Sequence, residues 1–218
     1  CVDSNGNQFI VEEARHKVLK FDPTGSLIKV IGGSAGRANG SFYYPFKCEI
    51  DKNDNLYVSD YYNHRVQKFD NNAKWLQNFN NAQYASGIGV DDSGNVYVGQ
   101  RNRSRIKKFN SSGSALFEFV TGYAPYGISI HNDGVMDIVY VVTMWQQRQQ
   151  VQRYTTNGNY TPLTNHNNIS PNDPHITLQN GNYISSWTKY IQQPSDVAVD
   201  SNGNIYAIQL SNKTIKVF

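Results

Sequence analysis

The sequence has few charged residues and no long apolar run. Only 17% of its 218 residues are charged, and the formal net charge is +3. A net charge this small does not indicate a polyanionic partner. No run approaches the ~18 apolar residues of a membrane-spanning helix. We therefore expect no membrane partner, and a soluble chain or a mature fragment of one.

Sequence signals for common catalytic sites are also missing. There is no Gly-x-Ser-x-Gly elbow and no histidine placed to serve a nucleophilic serine. The glycine-rich stretch from Gly32 to Tyr44 is not followed by a helical pattern, whereas a phosphate-binding loop requires a helix N-terminus. We expect no catalytic residue and no cofactor.

What the sequence does contain is a repeat of about 40 residues. Its clearest copy, Pro45 to Asp70, has the pattern strand, turn, strand, loop, strand. The residue that opens the turn recurs at intervals of 48, 40, 40 and 69 residues, at Asp3, Asp51, Asp91, His131 and Asp200. We interpret these aspartates as turn-forming residues that hydrogen-bond the following backbone. A period near 40 with four strands per repeat is typical of β-propeller blades.

The segment from Val58 to Phe69 resembles the NHL repeat, with an apolar residue, Asp60, then Asn-His-Arg and a final phenylalanine. Weaker echoes lie at Ile10 to Phe21, Val98 to Phe109 and Ala207 to Phe218. The resemblance implies an all-β fold, a single NHL-type β-propeller over residues 1–218. Four complete repeats and a partial fifth are visible, which would form part of a six-bladed ring.

The repeat alignment predicts where the innermost strands lie: Phe46–Ile50, Gly87–Val90, Tyr126–Ile130 and Ser195–Val199. The fourth copy is irregular, with a polar loop at Met144–Gln150 and a fourth strand at Tyr160–Leu163. Residues 164–193 follow as an insertion whose Asn-Gly pair predicts a hairpin. This insertion is either a hairpin on one rim or a blade reduced to two strands.

The two ends of the sequence also carry an expectation. The first copy begins inside its first strand and the fifth stops after its third, which leaves an unpaired strand edge. We expect the natural chain to be longer. The alternative is that a neighbouring subunit supplies the missing strand, which would build a filament.

The two cysteines align one position apart on the innermost strands of adjacent repeats, since Cys48 matches Val197 and Cys1 matches Ala198. Alternation along a strand lets them face each other across the gap between blades. A disulfide between Cys1 and Cys48 is one interpretation, and two buried thiols are the other.

The NHL family resemblance also brings metal sites into consideration. The NHL family includes peptidyl-hydroxyglycine amidating lyases, which hold zinc with histidines that line the central channel. Related six-bladed lactonases hold calcium. None of the five histidines lies in a predicted innermost strand, and His16 and His64 occupy equivalent, structural positions. Glu49 and Asp196 are too few carboxylates for a calcium site. We expect no metal, and a degenerate lyase remains an alternative.

Basic residues recur in the second loop and third strand of the repeats, which predicts a basic rim formed by Arg15, Lys17, Arg65, Arg101, Arg103, Arg105 and Arg148. Some NHL propellers bind RNA through a basic face, so an RNA-binding propeller is a second alternative. The other interpretation is that these side chains serve packing and solubility.

Asn-x-Ser/Thr sequons are more frequent than expected. Six occur, at Asn39, Asn102, Asn110, Asn159, Asn168 and Asn212, where 26 asparagines and 28 serines and threonines would give about three by chance. All six fall in predicted turns or loops, as glycan acceptors must. This excess favours an extracellular eukaryotic location. We expect a non-enzymatic interaction or structural module whose rim loops bind a protein or glycan.

Intact-mass analysis of protein from its natural source tests the extracellular location. We expect a mass above that of the polypeptide, which falls to the polypeptide mass after enzymatic removal of N-linked glycans. A single unmodified mass would contradict the interpretation of the sequons.

Overall fold

A computed structural model describes residues 1–132, 137–145, 148–156, 183–187, 194–200, 202, 204–209 and 214–217. Apart from β-strands, this part of the chain contains three single-turn 3₁₀ segments, at Glu13–Arg15, Tyr61–Asn63 and Arg101–Arg103. Within it, no helix has the length and apolarity needed to cross a lipid bilayer. The all-β prediction is confirmed.

The described residues form five antiparallel sheets, each built from strands that are consecutive in the chain. The first contains β1 (Gln8–Glu12), β2 (Lys17–Phe21) and β3 (Leu27–Gly32). The second contains β4 (Pro45–Ile50), β5 (Leu56–Asp60), β6 (Arg65–Phe69) and β7 (Trp75–Phe79). The third contains β8 (Ala85–Val90), β9 (Val96–Gln100), β10 (Arg105–Phe109) and β11 (Ala115–Val120).

The last two sheets lie in the less regular part of the sequence. The fourth contains β12 (Ala124–Asn132), β13 (Asp137–Trp145), β14 (Arg148–Thr155) and β15 (Tyr183–Trp187). The fifth contains β16 (Pro194–Val199), β17 (Ile205–Gln209) and β18 (Thr214–Val217).

The first strands of successive sheets stand side by side, in the order β4, β8, β12 and β16. These are the strands predicted to be innermost, so that prediction is confirmed. Glycine allows the close approach: a Cβ on Gly87 would lie 2.7 Å from the carbonyl oxygen of Tyr126 on the neighbouring strand. This is the arrangement of β-propeller blades around an axis.

Apolar cores fill the spaces between neighbouring sheets. One core packs Tyr57 and Phe79 of the second sheet against Ile88 and Phe109 of the third. Similar clusters join the first sheet to the second, the third to the fourth and the fourth to the fifth. The five positions of β5 are all buried, as are those of β9, because sheets pack on both of their faces.

The fourth sheet differs from the prediction in two places. Its fourth strand in the described part of the chain is β15, which pairs with β14, whereas the sequence predicted this strand at Tyr160–Leu163, which lies outside the described residues. Met144 and residues 148–150 belong to β13 and β14, so most of the predicted polar loop is strand. The first half of the predicted hairpin and its Asn-Gly pair lie outside the described residues.

The start of the chain supplies the innermost part of the first sheet. Val2 pairs with Gln8, and the backbone N–H of Phe9 donates to the carbonyl of Cys1 at 2.8 Å. Cys1 is joined to Cys48 on β4 by a disulfide, with Cα atoms 5.8 Å apart. The bridge ties the first sheet to the second near the axis.

Each aspartate that opens a turn is held by several donors. Asp51 accepts hydrogen bonds from the backbone N–H groups of Asn53 and Asn55, from the Asn55 side chain and from the Tyr57 hydroxyl. The Lys68 ammonium lies 3.5 Å away. Burial alone would raise the pKa of Asp51, yet the Asn55 and Asn53 hydrogen bonds outweigh it and hold the pKa below its ordinary value. The same turn bonds recur at Asp3, Asp91 and Asp200.

Replacing this carboxylate should cost stability. We expect Asp51→Ala to lower the free energy of unfolding by about 2 kcal/mol, because buried donors lose their acceptor. The wild-type contribution is present above the ordinary aspartate pKa and is lost as pH falls through the lowered native pKa, so the variant should be less acid-sensitive. Urea unfolding at pH 7 and pH 3 measures both effects. The control is Asp92, an exposed aspartate in the equivalent turn of the third sheet. Asp92→Ala should change the free energy of unfolding by no more than about 0.5 kcal/mol. Equal losses in the two variants would contradict this role.

Candidate functional site

The antiparallel strands send two sets of loops to opposite ends of the sheets. The aspartate rim is the end with the tight turns after the first and third strands, residues 3–7, 22–26, 51–55, 70–74, 91–95, 110–114 and Asp200. The tyrosine rim is the other end, with the loops after the second and fourth strands, residues 13–16, 32–44, 61–64, 80–84, 101–104 and 121–123. Loops on the tyrosine rim vary more in length, and one of them, the loop before β4, is much longer than any described turn of the other rim, which makes this rim the place to look for a site.

Two histidines connect neighbouring loops on the tyrosine rim. His16 and His64 each end a 3₁₀ segment in the left-handed conformation, with φ of 54° and 57°. Their Nδ1 atoms accept hydrogen bonds from the backbone N–H groups of Tyr44 and Tyr84, both at 3.1 Å. The rings also contact those tyrosines edge to face. The structural interpretation of both histidines is therefore correct, and their position is occupied by Ser104 in the third sheet.

A buried ion pair fixes the glycine-rich loop, residues 32–44. The Nε of Arg65 donates to the Asp60 carboxylate at 2.8 Å, and the side chain of Asp60 has no exposed area. The Arg65 guanidinium also donates to the carbonyls of Ala38 and Ser41, at 2.9 and 3.0 Å. Asn63 adds a further bond to Asp60 at 2.9 Å. These contacts hold the loop that precedes β4 against the second sheet.

Five tyrosines from three loops meet on this rim: Tyr43 and Tyr44 precede β4, Tyr61 and Tyr62 form the 3₁₀ segment after β5, and Tyr84 precedes β8. Their ring centroids lie 4.9–6.4 Å from one another, within the range of aromatic contact. Tyr43 and Tyr62 are 41% and 45% exposed. The result is an aromatic surface open to solvent.

The aromatic surface continues to the end of the innermost strands. Phe46 on β4 lies 6.0 Å from Tyr61 and 6.0 Å from Tyr126 on β12, measured between ring centroids. The guanidinium carbon of Arg101 lies 4.4 Å from the Tyr126 centroid, a cation–π contact. The aromatic surface therefore extends from the rim toward the axis, where Arg101 lies against Tyr126.

Charged groups lie further along the innermost strands. Lys47 on β4 pairs with Asp196 on β16. Burial raises the pKa of Glu49 on β4 to about 8. A carboxyl with such a pKa is protonated at neutral pH, so Glu49 is a poor cation ligand there.

One histidine lies elsewhere than the sequence analysis predicted, which bears on whether the chain could hold a metal. His131 lies within β12, so the prediction that no histidine falls in an innermost strand was wrong. Even so, the described ranges contain no group of three or more histidine, cysteine, aspartate or glutamate side chains close enough to hold an ion. These residues do not fit the zinc that the lyase resemblance implies.

The predicted basic residues separate into three groups. Arg15, Arg101 and Arg103 lie on the tyrosine rim. Lys17 and Arg105 begin third strands and lie 3.0 and 3.5 Å from Glu12 and Glu118. Arg65 is buried, so its assignment to an exposed rim was wrong: its positive charge is neutralised by Asp60. The side chain of Arg148 lies outside the described residues.

Three of the six sequons fall on described residues. Asn39 and Asn102 are exposed and border the tyrosine rim, and Asn110 lies in a turn of the aspartate rim. The side-chain oxygen of Asn110 accepts a bond from the Ser114 backbone at 2.8 Å. Asn159, Asn168 and Asn212 lie outside the described residues, and glycan attachment at all six stays a prediction.

The tyrosine cluster was missed by the sequence interpretation, which assigned the aromatic residues mainly to the core. A signal existed, because the two Tyr-Tyr pairs Tyr43-Tyr44 and Tyr61-Tyr62 flank β4 and β5. A loop before an innermost strand and a loop after the next strand share one end of an antiparallel sheet. That reasoning places the two pairs together.

Glu49 generates a pH prediction. The folded protein keeps its proton up to about pH 8, whereas the unfolded chain releases it near the ordinary pKa of about 4.3. Stability should therefore fall between these pH values, by about 1.4 kcal/mol per pH unit from this residue. In urea unfolding at pH 5 and pH 9, we expect Glu49→Gln to lose less stability than wild type. Parallel pH profiles for the two proteins would contradict the assignment.

Comparison with known proteins agrees with this architecture. Residues 49–69 match the NHL repeat family. No curated protein matches the chain in sequence. Virginiamycin B lyase from Staphylococcus aureus superposes with a TM-score of 0.67 at 14% identity, over 100% of this chain and 68% of the lyase. A streptogramin B lyase superposes with a TM-score of 0.65 at 15% identity, over 100% of this chain and 66% of that lyase.

A second kind of propeller matches equally well. The WD40 β-propeller domain of Doa1 superposes with a TM-score of 0.66 at 14% identity, over 99% of this chain and 61% of that one. Identities this low establish the fold and not the activity. Together these superpositions show a β-propeller fold, within which residues 49–69 match the NHL repeat.

Proposed function

We propose that this chain is a non-enzymatic interaction module that acts outside the cell and binds a protein partner through its tyrosine rim. The observation that carries the proposal is the contiguous cluster of five tyrosines, in which Tyr43 and Tyr62 are exposed to solvent. Tyrosine and arginine are enriched at the centres of protein interfaces because they bury large contact areas at low entropic cost.

The way the rim is built supports a binding role. The tyrosines lie on loops, yet the loops are held by the His16 and His64 hydrogen bonds and by the Asp60–Arg65 pair. A binding surface that is already ordered loses less conformational entropy when a partner docks. Tyr43 and Tyr62 thus stand exposed on a rigid support.

The extracellular location has two supports. The chain carries a disulfide between Cys1 and Cys48, and disulfides persist mainly in oxidising compartments. The sequon excess is the second. Since Asn39 and Asn102 border the tyrosine rim, glycans there would frame the binding surface.

An RNA-binding propeller is the second candidate, and Arg101 stacked on Tyr126 favours it, because single strands bind to aromatic rings beside cations. The structural similarity to lyases adds an enzymatic alternative. Stoichiometric zinc in the purified protein would raise that alternative.

Site-specific photo-crosslinking tests the binding face. A photoreactive residue is placed at position 62 on the tyrosine rim or at position 72 on the aspartate rim, both exposed. In extracellular fluid from the source tissue, we expect position 62 to capture a discrete protein that position 72 does not. Tyr43→Ala, which removes an exposed ring, should reduce that capture. Equal capture from both positions would refute the proposal.

A further inference from the structure

The two rims carry charges of opposite sign. The described loops of the tyrosine rim contain one carboxylate, Glu13, and four arginines: Arg15, Arg37, Arg101 and Arg103. The described turns of the aspartate rim contain two lysines, Lys52 and Lys74, and eight aspartates: Asp3, Asp22, Asp51, Asp54, Asp70, Asp91, Asp92 and Asp200. Lys20, Lys68 and Lys108 neutralise three of these aspartates, which leaves the aspartate rim negative.

The arginines of the tyrosine rim are available to a partner. Within the part of the chain that the structure describes, no carboxylate lies within ion-pair distance of Arg37, Arg101 or Arg103. Arg15 lies 3.7 Å from Glu12, and its side chain is 73% exposed. Arg65, by contrast, is fully engaged with Asp60 and backbone carbonyls. Among the described residues, Arg37 and Arg103 therefore present positive charge with no carboxylate partner, whereas Arg101 is stacked on Tyr126.

The aromatic rings of this rim form a continuous path that ends beside Arg101. From His16 the path runs through Tyr44, Tyr62 and Tyr61 to Phe46, each ring 4.7–6.0 Å from the next. It ends at Tyr126, over which Arg101 is stacked. A path of six rings is long enough for an extended segment of several residues.

We propose that the tyrosine rim recognises an acidic, extended protein segment, an inference that rests on the proposed interaction function. Arginine forks bind carboxylates in pairs of parallel hydrogen bonds, and tyrosine rings supply the apolar contact area between them. Complementary charge also steers the partner to this rim and away from the negative one.

A second copy of the chain fits this surface less well than a foreign segment. The carboxylates of its aspartate rim already accept backbone hydrogen bonds, as at Asp22, Asp51 and Asp70. The carboxylates of an unstructured acidic segment do not already accept such hydrogen bonds, so they can pair with the arginines.

A random 12-residue peptide library displayed on phage, selected on the purified protein, tests the inference. We expect enriched peptides to be rich in aspartate and glutamate. Their affinity, measured by fluorescence anisotropy, should weaken at least about fivefold in Arg37→Gln/Arg103→Gln, which removes two exposed charges. It should also weaken between 50 and 300 mM NaCl. The control Lys52→Gln/Lys74→Gln, on the aspartate rim, should bind as wild type does.

The other outcomes separate this inference from the proposed function. Neutral peptides that depend on Tyr62 but not on the two arginines would overturn the acidic preference and leave the interaction role standing. Peptides whose affinity is unchanged by Tyr62→Ala would overturn both the acidic preference and the interaction role of the tyrosine rim. Tighter binding of a 15-nucleotide oligouridylate through the same arginines would overturn the inference in favour of RNA. Salt-sensitive oligomers that Arg37→Gln/Arg103→Gln dissolves, seen by sedimentation, would show that a second copy is the occupant.

Discussion

The structure depends on the carboxylate that follows the first strand in four of the five repeats. At Asp3, Asp51, Asp91 and Asp200 this group accepts hydrogen bonds from backbone N–H groups of the turn that follows. The turn fixes the pairing of the first two strands, and with it the side of each strand that faces the neighbouring sheet. At Asp51 the carboxylate is bonded by four donors, so its loss would leave several polar groups of one turn without their acceptor.

This constraint makes the two rims unequal. One rim is made of short turns that the aspartates close, and its charges serve the fold. The loops of the tyrosine rim are not closed by these aspartates. They vary in length and carry the tyrosines. Order there comes from other contacts, chiefly the two histidine bonds and the buried Asp60–Arg65 pair. The Asn-His-Arg run thus positions the tyrosine cluster without contributing a tyrosine to it.

The fold was predictable from the sequence because every repeat carries its own local signals, and the turn aspartates fix the register of each. The errors occurred where the outcome depends on distant partners. Arg65 is buried because Asp60 and the carbonyls of the preceding loop surround it, which spacing does not reveal. Residues 148–150 read as loop because glutamine and arginine are weak strand formers, yet pairing with β13 holds them extended. β15 pairs with β14 although a long stretch of sequence separates the two strands, and local patterns do not reveal such a pairing.

The central claim is that the tyrosine rim is the face that meets a partner. Hydrogen–deuterium exchange of the protein, free and bound to its crosslinked partner or a selected peptide, tests it most directly. The account predicts slower exchange in residues 32–44, 61–64, 80–84 and 101–104 and no change in the aspartate-rim turns. Protection centred on residues 51–55, 70–74 and 91–95 would contradict it.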